Sequence, residues 1–255
     1  MQNNTFSGLF VGQNLITLKE VGSTNTFLKD ILSKSTPLLD GTVILAEKQF
    51  AGRGQTNNTW ISEPGKNLTF SILLNPTFME AERQFELNKV ISLALNDVLS
   101  KYAGNDASIK WPNDSYLGNK KVAGMLIENI ILGNKIKHAI IGIGLNINQT
   151  NFPAHLNNVT SMKLFLQRDY DLMLLLGEIC SAVEARYLQL KAASRENDLG
   201  YLNKLYLRDE WALFKFDNKI QSGRITGVSE IGRLQLETPD GIRQFDNKEI
   251  EFINV

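Results

Sequence analysis

The sequence predicts an α/β fold over residues 1–208 followed by a small SH3-like β-barrel over residues 209–255. Three observations carry this prediction. Strand-like runs alternate with helical ones as far as Arg208, helical periodicity then stops, and five short β-type segments follow one another to the C-terminus. With 255 residues, 43% hydrophobic and 21% charged, the chain has enough apolar surface for a sizeable core, which excludes disordered, collagen-like and disulfide-scaffold classes.

Taken in order, Leu15–Val21, Thr42–Glu47, Leu68–Leu74, Ile109–Trp111, Val122–Ile131 and Lys135–Asn146 read as strands. At least three helices lie between or after them. Asn25–Ser33 sets Phe27, Leu28, Ile31 and Leu32 on one face, with Ser23 or Thr24 placed to cap it. Arg83–Tyr102 repeats the pattern with Leu87, Val90, Ile91, Ala94, Leu95, Val98, Leu99 and Tyr102, and Leu172–Ala192 does so with Leu175, Leu176, Ile179, Val183 and Tyr187. Stripes of this kind are core-facing. The C-terminal segments are Ala212–Phe216, Lys219–Val228, Arg233–Leu236, Ile242–Phe245 and Ile250–Val255. Asp217-Asn218, Ile231-Gly232 and Pro239-Asp240-Gly241 supply the turns between them.

Charge and composition bound the function. Lys plus Arg and Asp plus Glu are both 27, so no net field draws the chain to nucleic acid or an anionic membrane, and the barrel carries no basic excess. Any anionic ligand has to be caught locally. One cysteine, Cys180, and two histidines, His138 and His155, leave no zinc cage and no internal disulfide, so no metal ligands are assigned. The first residues lack the charge and apolar pattern of a signal or transit peptide, and no apolar run approaches the ~20 residues of a membrane helix, so a soluble cytoplasmic protein is expected.

Three stretches carry chemistry. In Gly52-Arg53-Gly54-Gln55, two glycines let backbone N–H groups approach an anion beside a guanidinium, although a polar turn has the same composition. It is neither a Walker loop nor a dinucleotide fingerprint. Lys110-Trp111-Pro112-Asn113-Asp114 ends a strand in a lysine and a rigid turn, which suits a fixed cation as well as an ordinary hairpin. Gly142 and Gly144, in an apolar strand that runs into Asn146 and Asn148, mark a close approach of ligand or of neighbouring protein.

Together with Ser23-Thr24-Asn25, Gln49 and Lys121-Val122-Ala123-Gly124, these stretches follow an order and spacing that resemble the biotin protein ligases over nearly the whole chain. The resemblance implies a mixed sheet flanked by helices, related to the catalytic domain of class II aminoacyl-tRNA synthetases. It also implies a ligase that activates biotin with ATP and magnesium to biotinyl-5'-AMP and transfers it to a lysine of a biotin carboxyl carrier protein. Carried over residue by residue, Ser23, Thr24, Asn25, Gln49, Arg53, Gly54, Gln55, Lys110 and Gly124 would contact biotin. Arg53, Trp60, Lys110 and Asn146 would contact ATP or the adenylate, and Lys110 and Arg53 would be catalytic.

Two departures from the family pattern stand out. Many relatives carry an arginine where this chain has Gln55, so weaker electrostatic retention of the adenylate is expected. Bifunctional members carry an N-terminal DNA-binding domain, whereas about twenty residues precede Ser23, so a monofunctional ligase without DNA binding is expected. A homodimer is left open. A lipoate or octanoate ligase of related fold, or a binding module without chemistry, are the alternatives.

Overall fold

A computed structural model describes residues 7–34, 37–55, 58–156 and 158–253. The N-terminal half builds β1 (Leu15–Val21), α1 (Thr24–Ser33), β2 (Val43–Gln49), β3 (Leu68–Leu74) and α2 (Phe85–Ala103). After them come β4 (Ala107–Lys110), β5 (Asp114–Leu117), β6 (Lys120–Leu132), β7 (Lys135–Leu145), α3 (Met162–Leu166), α4 (Leu172–Lys191) and α5 (Glu196–Asn203). One seven-stranded sheet results, in the order β1-β2-β3-β7-β6-β5-β4. It is mixed, because β1 runs parallel to β2 and every other neighbour is antiparallel.

The two faces of this sheet are treated differently. Leu68, Phe70, Ile72 and Leu74 of β3 join Ile141, Ile143 and Leu145 of β7 under α2 and α4, forming the main core. Alternation sends the other set of side chains to the opposite face. There Ile44, Leu73 and Ile140 pack on Leu28 of α1, in a much smaller cluster. The short α1 covers only part of that face, and the uncovered part becomes the floor of the site.

The C-terminal strands are β8 (Trp211–Phe216), β9 (Lys219–Val228), β10 (Leu234–Thr238), β11 (Gly241–Phe245) and β12 (Glu251–Phe252). They form a five-stranded antiparallel sheet in the order β11-β10-β9-β8-β12, in keeping with the expected SH3-like barrel. Its interior is shared with the larger unit: Phe214, Phe216, Ile225, Leu234 and Phe245 belong to one buried cluster with Phe85, Trp111 and Tyr201.

Several expectations need adjustment. The Lys110–Asp114 turn is a hairpin into β5, a four-residue strand too short for its periodicity to register. Helices α3 and α5, of 5 and 8 residues, have no apolar stripe long enough to announce them. Neither Ser23 nor Thr24 caps α1 through its side chain. Instead the Gln49 side chain reaches across from β2 to accept the Thr24 N–H at 2.7 Å. The expected last strand shrinks to β12, and Asn254 and Val255 lie outside the described residues, as do Thr56, Asn57 and the first six residues of the N-terminal reading. No described helix is long and apolar enough to cross a membrane.

The N-terminal segment is anchored by one carboxylate. Glu184 of α4 is buried and accepts the backbone N–H groups of Leu9, Phe10 and Val11 at 2.6, 2.7 and 2.9 Å. Burial works to raise its pKa, and the three N–H donors outweigh burial and hold it below the usual glutamate value. Because the folded value is depressed, this contribution is complete above the ordinary carboxylate range and disappears as pH falls through the folded value. Glu184→Gln should therefore lose about 2 kcal/mol at pH 7 in urea denaturation, and the gap to wild type should narrow near pH 3. An equal gap at both pH values would contradict this account.

Candidate active site

Backbone register aligns one row of residues across four strands. Gly144 of β7 pairs with Gly124 of β6, Gly124 with Asp114 of β5, and Asp114 with Lys110 of β4. Two residues along, Ser71, Gly142 and Leu126 form a second row. Apart from the fully buried Ser71, these rows floor a cavity of about 550 Å³ on the face that α1 leaves uncovered. The missing side chains make room for Asn25, Trp60 and Lys121 to lie against the backbone. A Cβ on Gly142 would stand 2.5 Å from Asn25 Oδ1, and one on Gly144 would stand 2.2 Å from the Trp60 ring. Side chains of this chain thus supply the close approach that the glycines marked.

The end of the cavity under α1 is a network of neutral hydrogen bonds. The Thr24 hydroxyl donates to Gln49 Oε1 at 3.1 Å, and the Ser71 hydroxyl lies within donating distance of Thr24 Oγ1 (2.7 Å) and Asn25 Oδ1 (2.6 Å). Asn25 Nδ2 donates to Leu126 O at 3.2 Å and to Glu128 Oε2 at 2.9 Å. Since Gln49 Oε1 is committed to α1, its Nε2 is left as the donor for an acceptor in the cavity.

The other end is cationic. Lys110 Nζ donates to the Tyr116 hydroxyl at 3.0 Å and sits over the Phe252 ring, 4.7 Å from its centre. Burial, with Lys121 adding repulsion, lowers the Lys110 pKa below the usual lysine value in spite of Asp114 and Glu251. Lys121 Nζ pairs with Asp114 Oδ1 at 2.7 Å, and both lie over Gly124. Arg53, also on the cavity wall, pairs through its NH2 with Glu128 Oε2 at 2.7 Å.

The turn after Lys110 is held from three sides. Trp111 Nε1 donates to Gly232 O of the barrel at 2.8 Å, Tyr201 donates its hydroxyl to Pro112 O at 2.9 Å, and Asn113 Nδ2 donates to Met125 O at 2.7 Å. The barrel itself reaches the cavity with Lys248, Glu251 and Phe252. Gln55 accepts from Asn247 Nδ2 at 2.7 Å, so its hydrogen bond goes to the barrel.

Of the residues singled out from sequence, Ser23, Thr24, Asn25, Gln49, Arg53, Gly54, Gln55, Trp60, Lys110 and Gly124 all line this one cavity. Asn146 does not. It is buried at the end of β7, with Nδ2 donating to Thr160 O at 3.1 Å and Oδ1 unpaired among the described residues. Sequence reading missed Ser71, Glu128 and the barrel residues, and it noted Lys121 only as part of a motif. Register alone would have exposed Ser71, because it lies two residues from Thr69 on the strand that pairs with Gly142 and Gly144.

Comparison with known proteins agrees with this geometry. The sequence profile of the biotin/lipoate A/B protein ligase family matches residues 18–146, half of the chain, including every element of the floor. The chain belongs to this family. Among its relatives, the bifunctional ligase/repressor BirA of Bacillus subtilis is 28% identical over 251 residues, covering 94% of this chain and 74% of that protein. A biotin–[acetyl-CoA-carboxylase] ligase of Paracoccus denitrificans is 38% identical over 117 residues, 45% of this chain and 48% of that one. The solved biotin protein ligase from Aquifex aeolicus in complex with biotin and ATP superimposes with a TM-score of 0.78 at 29% identity, covering 95% of this chain and all of that one. The likeness to that structure extends over the barrel, beyond the segment that the profile matches.

Gly144→Ala should push the Trp60 ring off β7, costing about 1–3 kcal/mol and shifting the Trp60 indole N–H resonance in NMR spectra. An unmoved resonance would show that the ring does not rest on this glycine.

Proposed function

We propose that this chain activates biotin with ATP to biotinyl-5'-AMP and transfers the biotinyl group to a lysine of a carboxylase's biotin carboxyl carrier protein. The observation that carries the reading is a single cavity with a neutral hydrogen-bonding end and a cationic end, joined by a glycine floor. Family membership and the likeness to the Aquifex aeolicus ligase, described as a complex with biotin and ATP, support it. The carrier follows the name of the Paracoccus denitrificans relative.

The neutral end suits the ureido group of biotin, which carries two donors and an acceptor. Gln49 Nε2 offers a donor, and Ser23, Thr24 and Asn25 lie beside it. Lipoate and octanoate are apolar at the corresponding end and would leave these groups without partners, at about 1–3 kcal/mol for each one buried. In the first half-reaction a carboxylate attacks the α-phosphate while pyrophosphate leaves, so two anions must come together. Lys110, Arg53 and Lys121 would offset that charge, and an anion beside Lys110 would raise its lowered pKa and keep it protonated. Trp60 would pack against the adenylate, and Asn146, set back from the cavity and bonded to Thr160 O, has no part in this reading. Magnesium would arrive on the nucleotide phosphates, where it draws off negative charge.

Gln55 lines the cavity as a neutral side chain bonded to Asn247, so it brings no charge to the adenylate. Gln55→Arg should slow dissociation of biotinyl adenylate about fivefold in stopped-flow displacement. An unchanged off-rate would remove this idea.

The reading as a whole is tested by pyrophosphate release from MgATP with biotin, lipoate or octanoate. Biotin alone should support release, and Lys110→Ala should slow it about 10²-fold. Release driven by lipoate or octanoate would move the substrate, and no release with any acid would leave a binding module.

A further inference from the structure

The α1 end of the cavity is tied to a carboxylate that is not part of its wall. Glu128 lies on β6 four residues beyond Gly124, on the same face of the strand, and its two oxygens serve three partners. Oε2 accepts from Asn25 Nδ2 at 2.9 Å and from Arg53 NH2 at 2.7 Å, while Oε1 pairs with Lys29 Nζ of α1 at 3.0 Å. Asn25 belongs to the neutral network and Arg53 is a cation of the wall, so one side chain fixes an amide and a guanidinium together at the α1 end of the cavity.

We propose that Glu128 is a positioning residue that orients Arg53 toward the acyl phosphate while fixing the Asn25 amide, so that both are in place before ligand binds. This rests on the ligase reading above. Its bond to Arg53 uses one terminal nitrogen, and the rest of the guanidinium has no hydrogen-bond partner among the described residues and is available to an anion. Lys29 matters to this arrangement. It supplies a second positive charge, so Glu128 remains compensated when Arg53 also serves a phosphate, and no partly buried carboxylate is left alone. The mostly shielded Glu128 side chain, 19% exposed, can therefore hold a guanidinium that is itself 45% exposed. On a surface without this anchor, a long arginine would lose rotamer freedom on binding each ligand.

The test is a double-mutant cycle with Glu128→Gln and Arg53→Gln, read two ways. The amide introduced by Glu128→Gln still offers Asn25 an acceptor, so the neutral end is preserved. For biotinyl adenylate binding by calorimetry, Glu128→Gln should weaken affinity about tenfold in the wild-type background and by less than twofold in the Arg53→Gln background. In ligand-free protein, hydrogen exchange at the amides of Gly54 and Trp60, which bond Asn58 O and Gly52 O around Arg53, should quicken equally in both single variants and the double variant. Additive losses, or a Glu128→Gln protein that binds the adenylate as tightly as wild type or tighter, would overturn the proposal. Should Glu128→Gln unfold the protein, Glu128→Asp, which keeps the charge one methylene short, should lose affinity by an intermediate factor that again vanishes with Arg53→Gln; a loss that persists there also overturns it. Wild type that fails to bind the adenylate would sink the ligase reading instead, while the exchange measurement still decides whether Glu128 orders Arg53.

Discussion

Everything at the site depends on a sheet face where three glycines let other side chains lie directly on the backbone. A β-sheet normally buries or solvates side chains on both faces, and a cavity on one face requires rows where side chains are missing and no helix fills the space. Gly124, Gly142 and Gly144 create those rows at the centre of a sheet whose other face is sealed by α2 and α4. The result is a floor with the rigidity of a packed core and the room of a surface cleft. Asn25 and Trp60 lie directly on that floor, so their positions are set by backbone geometry more than by their own rotamers.

The barrel is tied into the same arrangement. Trp111, one residue after Lys110, buries its ring in the cluster shared with Phe214, Phe216 and Phe245 and donates to Gly232 O. Phe252 lies over the Lys110 ammonium. A lysine stripped of water loses part of its tendency to stay charged, and an aromatic face returns some of that loss while keeping water out. The C-terminal strands therefore share, with Tyr116, Asp114 and Lys121, in setting the electrostatic state of the cation at the end of β4. On the proposed reading they are part of the active site, although the chain reaches them only after Arg208.

The sequence made the fold and most of the site legible because both are written in local signals. Continuous apolar runs such as Leu68–Leu74 and long stripes such as those of α2 and α4 exceed the length at which periodicity is decisive. The motif residues sit at strand ends and turns, and the fold brings ten of them to one cavity. What stayed hidden is long-range. Glu128 is a charged residue at the outer part of a long strand, and only the approach of α1 and the Arg53 loop shows what it holds. Gln49 caps α1 from another strand, which replaced the expected local cap. Asn146 misled because its place in a polar run after Gly144 does not reveal that its side chain turns back to Thr160.

The second half-reaction of the proposed function draws on the same charges. An acceptor lysine has a pKa of about 10.4 in water and attacks only as the neutral amine. No described histidine lines the cavity, and of its carboxylates Asp114 is paired with Lys121 and Glu251 with Lys215. An ammonium entering the cavity meets partial desolvation and the cations Lys110 and Lys248, neither of them in an ion pair among the described residues, and each of these effects lowers its pKa. Arg53 and Lys121 add less, because Glu128 and Asp114 already balance them. Burial at the Lys110 end therefore eases loss of the amine's proton to water before it attacks the adenylate mixed anhydride.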